Sequence, residues 1–127
     1  MPARILAVVD DIFFLAKIQE TARQLGITVE TVLPDSLEAS LAENGARGIL
    51  LDLNHRSGKA IAALESMKSA PATRSIPVVA FLSHVQTDLA QAAHAAGCDR
   101  VMARSAFSQH LPMLLQELSR EKGPSGH

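Results

Sequence analysis

Short, continuous apolar runs alternate with segments whose apolar positions recur at helical spacing. Ile5-Leu6-Ala7-Val8-Val9 is rich in β-branched residues and has no polar face. It predicts a strand covered on both sides, and so do Ile49-Leu50-Leu51 and Val78-Val79-Ala80-Phe81-Leu82. Ile27 to Val32 carries Thr28, Glu30 and Thr31, which suits an edge strand. Val101-Met102-Ala103 predicts a short fifth strand, also at an edge.

Helical segments lie between these runs. Ile12, Leu15, Ile18, Ala22 and Leu25 share one helical face, and Gly26 closes it. Asp35-Ser36-Leu37-Glu38 has the form of a capping box opening a helix to about Asn44, with Gly45 ending it. Ser57 or Gly58 opens a third helix through Met67, and Thr87 or Asp88 a fourth that stops at Gly97. Ser108 opens a fifth through Leu118. Five strands each followed by a helix predict an α/β fold, a doubly wound five-stranded parallel sheet of (βα)5 type. Its crossovers are right-handed and its helices cover both faces.

Composition narrows the function classes. The 127 residues suit one domain, with 47% hydrophobic and 20% charged residues. Residues 1–121 are expected to form that domain and 122–127 a polar, flexible tail. Lys+Arg 12 against Asp+Glu 13 gives a net charge of −1, which removes the case for a dedicated nucleic-acid binder. A single cysteine excludes a disulfide framework. No apolar stretch approaches the ~20 residues of a membrane span, and the first residues are too short for a signal peptide, so a cytoplasmic protein is expected.

In an open α/β sheet, ligands bind beyond the carboxyl ends of the strands. Asp10 and Asp11 follow strand 1, Asp52 and then Leu53-Asn54-His55-Arg56 follow strand 3, Ser83 and His84 follow strand 4, and Arg104 follows strand 5. If strands 1 and 3 are neighbours, three carboxylates converge and raise one another's pKa. A hard divalent cation such as Mg²⁺ would relieve that crowding. The hydroxyl of Ser83 and the cation of Arg104 suit a phosphoryl group. A flavin phosphate would be repelled by Asp10 and Asp11, and the chain has no Trp or Tyr to stack on the ring. Asp10 or Asp11 could instead simply cap the first helix. His55 and His84 are expected at the surface, Cys98 in the packing, and one of Phe13 and Phe14 in the core.

These residues, in this order and spacing, resemble a response-regulator receiver domain of the CheY type from Arg4 to about Arg120. Asp10-Asp11, Asp52, Ser83, Ser75-Ile76-Pro77-Val78-Val79 and Gly97-Cys98-Asp99 carry the likeness. The resemblance implies strand order 2-1-3-4-5. It implies Asp52 as phosphoacceptor, with Ser83 and Arg104 at the phosphoryl group. Mg²⁺ would be held by Asp11 and Asp52, by Asp10 directly or through water, and by the Asn54 backbone carbonyl. The partners implied are a sensor histidine kinase or phosphotransfer protein, and a downstream protein at the helix 4–strand 5–helix 5 face. No direct contact with nucleic acid or membrane is expected, nor enzymatic activity beyond the domain's own phosphorylation and dephosphorylation.

The sequence departs from that pattern on one side. Arg104 replaces the family's lysine, a swap that is not conservative at a tight phosphate site. Ser105 replaces a cis-bonded proline, and cis before serine costs about 3 kcal/mol, which favours trans. His84 stands where a small residue is usual, Val101 where the switch aromatic is usual, and the loop after Asp52 is shorter. The alternative is therefore a pseudo-receiver that binds a partner independently of phosphorylation.

Overall fold

The structure, a computed structural model, describes residues 4–83 and 87–120. Five parallel strands, β1 (Arg4–Val8), β2 (Thr28–Thr31), β3 (Gly48–Asp52), β4 (Val78–Leu82) and β5 (Arg100–Ala103), lie in the order β2-β1-β3-β4-β5. The intervening helices are α1 (Ile12–Leu25), α2 (Leu37–Asn44), α3 (Ala60–Ser69), α4 (Thr87–Ala95), α5 (Arg104–Gln109) and α6 (Leu111–Ser119). Fold class and strand order are those expected. Among the described residues, no helix is long and apolar enough to cross a membrane.

The strand sequences are apolar throughout because both faces are covered. Leu6, Val8, Ile49, Leu51, Val78, Ala80 and Leu82 point to one side, where Leu37, Leu41, Leu64, Met67 and Ala93 of α2, α3 and α4 meet them. Ile5, Ala7, Leu50, Val79 and Phe81 point to the other, against Ile18 and Ala22 of α1 and Phe107, Leu111, Leu114, Leu115 and Leu118 of α5 and α6. Alternation along each strand thus fills two cores from one sheet. Gly48 allows the closest approach, since a Cβ there would lie 2.7 Å from Leu118 Cδ2.

Three expected helix starts differ. Ser36 does not cap α2: Pro34–Ser36 is a turn of 3-10 helix, Ser36 already sits at φ −98° and ψ 0°, and its side chain makes no capping bond. The Asp35 carboxylate pairs with Lys59 and Glu38 accepts from Ser66, so both acids face neighbours rather than the helix end. α3 begins at Ala60, because Ser57 Oγ accepts from the Lys59 N–H and Gly58, at φ +73°, turns the chain first. The last helical segment begins at Arg104, directly after β5, and is broken at His110 before Pro112 starts α6. Of the remaining expectations, His84 and residues 122–127 lie outside the described residues.

Candidate functional site

Register assembles the site. β1 lies between β2 and β3, so the order in which the chain adds its parallel strands reverses there and a crevice opens beyond the strand ends. Val8 pairs with Leu51, Asp52 with Phe81, and Leu82 with Ala103. The residues next along each chain therefore meet at one edge. Asp10, Asp11, Asp52, Asn54 and Arg104 line a single open cleft, together with Ile12, Phe13 and Arg56.

Asp52 is the last residue of β3 and only 2% exposed. Its Oδ1 accepts from the Asn54 backbone N–H at 2.8 Å. Burial pushes its carboxyl above the usual carboxylate range, and the nearby Asp10 charge pushes the same way. The Asn54 N–H and the charge of Arg104 pull in the opposite direction but do not cancel the burial.

Asp11 is the N-cap of α1, and its Oδ1 accepts from the N–H groups of Phe13 and Phe14 at 3.0 and 3.1 Å. The plain capping role therefore holds for Asp11. Its other oxygen, Oδ2, receives Arg104 Nη2 at 2.5 Å. The Phe14 N–H does most to hold the Asp11 carboxyl below its usual range; burial, the next largest effect, opposes it, and the charge and hydrogen bond of Arg104 and the Phe13 N–H add to the lowering. The Arg104 guanidinium also lies over the Phe14 ring, 4.3 Å from its centre, and 5.8 Å from that of Phe81. Asp10 Oδ2 accepts from the Arg56 backbone N–H at 3.0 Å, with Arg56 Nε 3.7 Å away.

Ser83 ends up beside the cleft rather than in its lining. Its N–H and its hydroxyl both donate to Asn54 Oδ1, at 2.7 and 3.2 Å. Asn54 thus bridges the ends of β3 and β4. Phe13 is 83% exposed at the rim, whereas Phe14 packs against both Phe81 and Phe107 in a cluster of three mutually tilted rings. There are no cis peptide bonds among the described residues, so the bond before Ser105 is trans, as expected.

One residue differs from expectation. His55 is buried, not at the surface, because its Nδ1 sits 3.0 Å from Ser57 Oγ and the turn folds the ring inward. Arg56, which the sequence places in the loop after strand 3 without assigning it a role, lines the cleft and donates its backbone N–H to Asp10. Cys98 is buried, with Sγ 3.2 Å from the Arg100 carbonyl, which agrees with a packing role.

The donor set is chemically suited to a hard cation: three carboxylates face one cleft, and the buried one is held back from ionising. As the side chains stand, however, no three His, Cys, Asp or Glu among the described residues are gathered closely enough to hold a metal ion. Arg104 sits on Asp11 instead.

The sequence matches no protein-family model and no curated protein. Solved structures do match. The phosphorylated cyanobacterial phytochrome response regulator RcpA is 24% identical over 93% of this chain and 91% of its own, with a TM-score of 0.74. The receiver domain of sensor histidine kinase PA1611 from Pseudomonas aeruginosa PAO1, with magnesium coordinated in its active-site cleft, is 20% identical over 93% and 98%, with a TM-score of 0.79. The chain has the fold of a response-regulator receiver domain. Chemotaxis response regulator CheY4 of Vibrio cholerae shares the same receiver fold, at 18% identity, coverage of 93% and 99%, and a TM-score of 0.79.

Proposed function

We propose that this chain is a cytoplasmic receiver of a two-component phosphorelay, accepting a phosphoryl group on Asp52 from a histidine kinase or phosphotransfer protein. One observation carries this: a buried aspartate at the end of β3 opens onto a cleft lined by two further carboxylates and two arginines. A fold shared with receivers, one of them phosphorylated and another holding magnesium, supports it.

The chemistry follows from the groups present. An Asp52 carboxylate oxygen attacks the phosphorus of a phosphohistidine in line. The new O–P bond forms as the N–P bond breaks, and the imidazole leaves with the electron pair. Asp11 and Asp52 would hold Mg²⁺, with Asp10 and the Asn54 carbonyl completing the protein ligands. When bound, the ion neutralises charge growing on the phosphoryl oxygens. Arg104 supplies a planar fork of N–H donors for those oxygens. The Ser83 hydroxyl supplies another donor, once it exchanges Asn54 for the phosphoryl group. Output passes by protein contact at α4, β5 and the following helices, with no turnover of any other substrate.

The Arg104–Asp11 ion pair favours a second reading, in which the cleft is closed by the protein's own cation and the domain binds a partner without phosphorylation. Beryllofluoride separates the two. Bound ¹⁹F resonances in the wild type with Mg²⁺, absent in Asp52→Asn, are the expected result. A spectrum of free fluoride species alone for the wild type overturns the phosphoacceptor.

A further inference from the structure

Arg104 is the first residue of α5, where its own helix disfavours a cation, because the N-terminal end carries positive partial charge. The contacts that fix the guanidinium come instead from the start of α1. Asp11 Oδ2 receives Nη2 at 2.5 Å, and the guanidinium carbon lies over the Phe14 ring, 4.3 Å from its centre. One hydrogen bond leaves a planar fork free to swivel about it. A ring face adds a second point of attachment, electrostatic as well as apolar.

Phe14 is itself held from three sides. Its backbone N–H donates to Asp11 Oδ1 at 3.1 Å. Its ring centre lies 5.0 Å from that of Phe81 and 5.7 Å from that of Phe107, and those two fully buried rings meet each other at 4.4 Å. Phe81 stands opposite Asp52 in the sheet register. Phe107 follows Arg104 by one turn of α5, on the same side of that helix. The chain has four Phe and no Trp or Tyr, so three of its four aromatic rings are gathered into this one cluster. Phe14 alone of the three is not fully buried, and Arg104 lies over it.

We infer that Phe14 is a positioning residue for Arg104, its ring a platform, braced by Phe81 and Phe107, that sets the guanidinium at the cleft. This rests on the receiver reading, in which Arg104 donates to the phosphoryl oxygens. The platform suits an arginine in particular. A planar guanidinium stacks on a ring face, whereas a lysine ammonium is a compact, strongly hydrated charge on a flexible stem. The ring contact uses no carboxylate oxygen, so it does not depend on what Asp11 binds. An aliphatic side chain at position 14 would still pack on Phe81 and Phe107 but would leave the fork unplaced.

The test compares wild type, Phe14→Leu, Phe14→Tyr, Arg104→Lys and the double variant Phe14→Leu with Arg104→Lys, each first shown to be folded by its amide NMR spectrum. The Arg104 Nε–H resonance is assigned by its loss in Arg104→Lys. It should lie upfield of the ordinary arginine range in wild type and Phe14→Tyr, shielded by the ring, and return to that range in Phe14→Leu. Phosphorylation is then followed by intact mass with Mg²⁺ and a small acyl phosphate. Phe14→Leu should slow it about fivefold in the Arg104 chain and less than about twofold in the Arg104→Lys chain, while Phe14→Tyr keeps the wild-type rate. A wild-type Nε–H resonance in the ordinary range overturns the platform and leaves the receiver reading standing. So does a Phe14→Leu change that slows both chains alike, or neither. If Phe14→Leu does not fold, Phe14→Met takes its place. A wild-type chain that takes up no phosphoryl group removes the receiver reading, and the inference with it.

Discussion

Asn54 Oδ1 accepts two hydrogen bonds from Ser83, one from its backbone N–H at 2.7 Å and one from its hydroxyl at 3.2 Å. A hydroxyl has a single proton to give. At rest, that proton is spent on the loop after β3, and it becomes available to a phosphoryl group only by leaving Asn54.

Asn54→Ala should therefore free Ser83 at a modest cost. Losing these bonds is expected to lower stability by about 1 kcal/mol, since neither partner is deeply buried. Urea unfolding measures that loss, and faster hydrogen exchange at the Ser83 amide is its local signature. An unchanged exchange rate at Ser83 would show that the clasp does not persist in solution.

Asp52 is a charge held where the fold would prefer none. Its carboxyl is pushed up in the folded protein, so the folded state holds its proton to higher pH than the unfolded chain does. Stability from this group is then greatest at low pH and is lost as pH rises from the unfolded value through the raised folded one. Without metal, Asp52→Asn should melt a few degrees higher than wild type at pH 7. That advantage should shrink as pH falls below the ordinary aspartate range. Melting curves at several pH values in EDTA check both the sign and the slope.

Lys68 shows a tie that composition conceals. Its Nζ donates to the carbonyls of Arg74 and Ile76 at 3.0 and 2.8 Å and to Asp99 Oδ2 at 2.8 Å. Asp99 Oδ2 in turn accepts from the Val78 N–H at the start of β4. α3, the turn before β4 and the approach to β5 are joined through one ammonium group, whose side chain is only 9% exposed. Lys68→Met keeps the stem and removes the donors, and should cost about 2 kcal/mol by urea unfolding.

Gly48→Ala tests the closest contact between sheet and helix. A new Cβ 2.7 Å from Leu118 Cδ2 forces α6 outward or Leu118 into another rotamer, and should cost about 1–3 kcal/mol. Unfolding should remain cooperative, because the change overfills one core without removing it.

Readout should be muted. Val101 is half-buried against the α4 side, while the ring cluster of Phe14, Phe81 and Phe107 lies on the other face of the sheet. A valine has one stiff torsion and little reach, so two states of this face differ little in contact energy, and a ligand shifts an equilibrium only by its differential affinity. Beryllofluoride should leave amide shifts across Thr87 to Leu118 largely unchanged outside the cleft. Large changes over that whole face would show that another element carries the switch.

How much was legible in the sequence depends on whether a feature is local. The strands could be read because continuous β-branched runs suit only a sheet covered on both faces. Asp10, Asp11, Asp52, Asn54 and Arg104 could be placed together because strand ends in such a sheet share an edge. The capping box failed because Pro34 starts a 3-10 turn two residues earlier and leaves Ser36 already helical. The start of α5 at Arg104 was hidden because nothing at Ala103 can cap, and its side chain indeed makes no capping bond. His55, Arg56 and Lys68 take their roles from neighbours supplied by folding, which no spacing along the chain reveals.

The phosphoacceptor is tested most directly by intact mass. The full chain is incubated with Mg²⁺ and a small acyl phosphate, and separately with a competent histidine phosphodonor. The wild type should gain the mass of one phosphoryl group, and Asp52→Asn should gain nothing under the same conditions. A wild-type chain that keeps its unmodified mass with both donors, or an Asp52→Asn chain that gains the same mass, contradicts phosphorylation at Asp52.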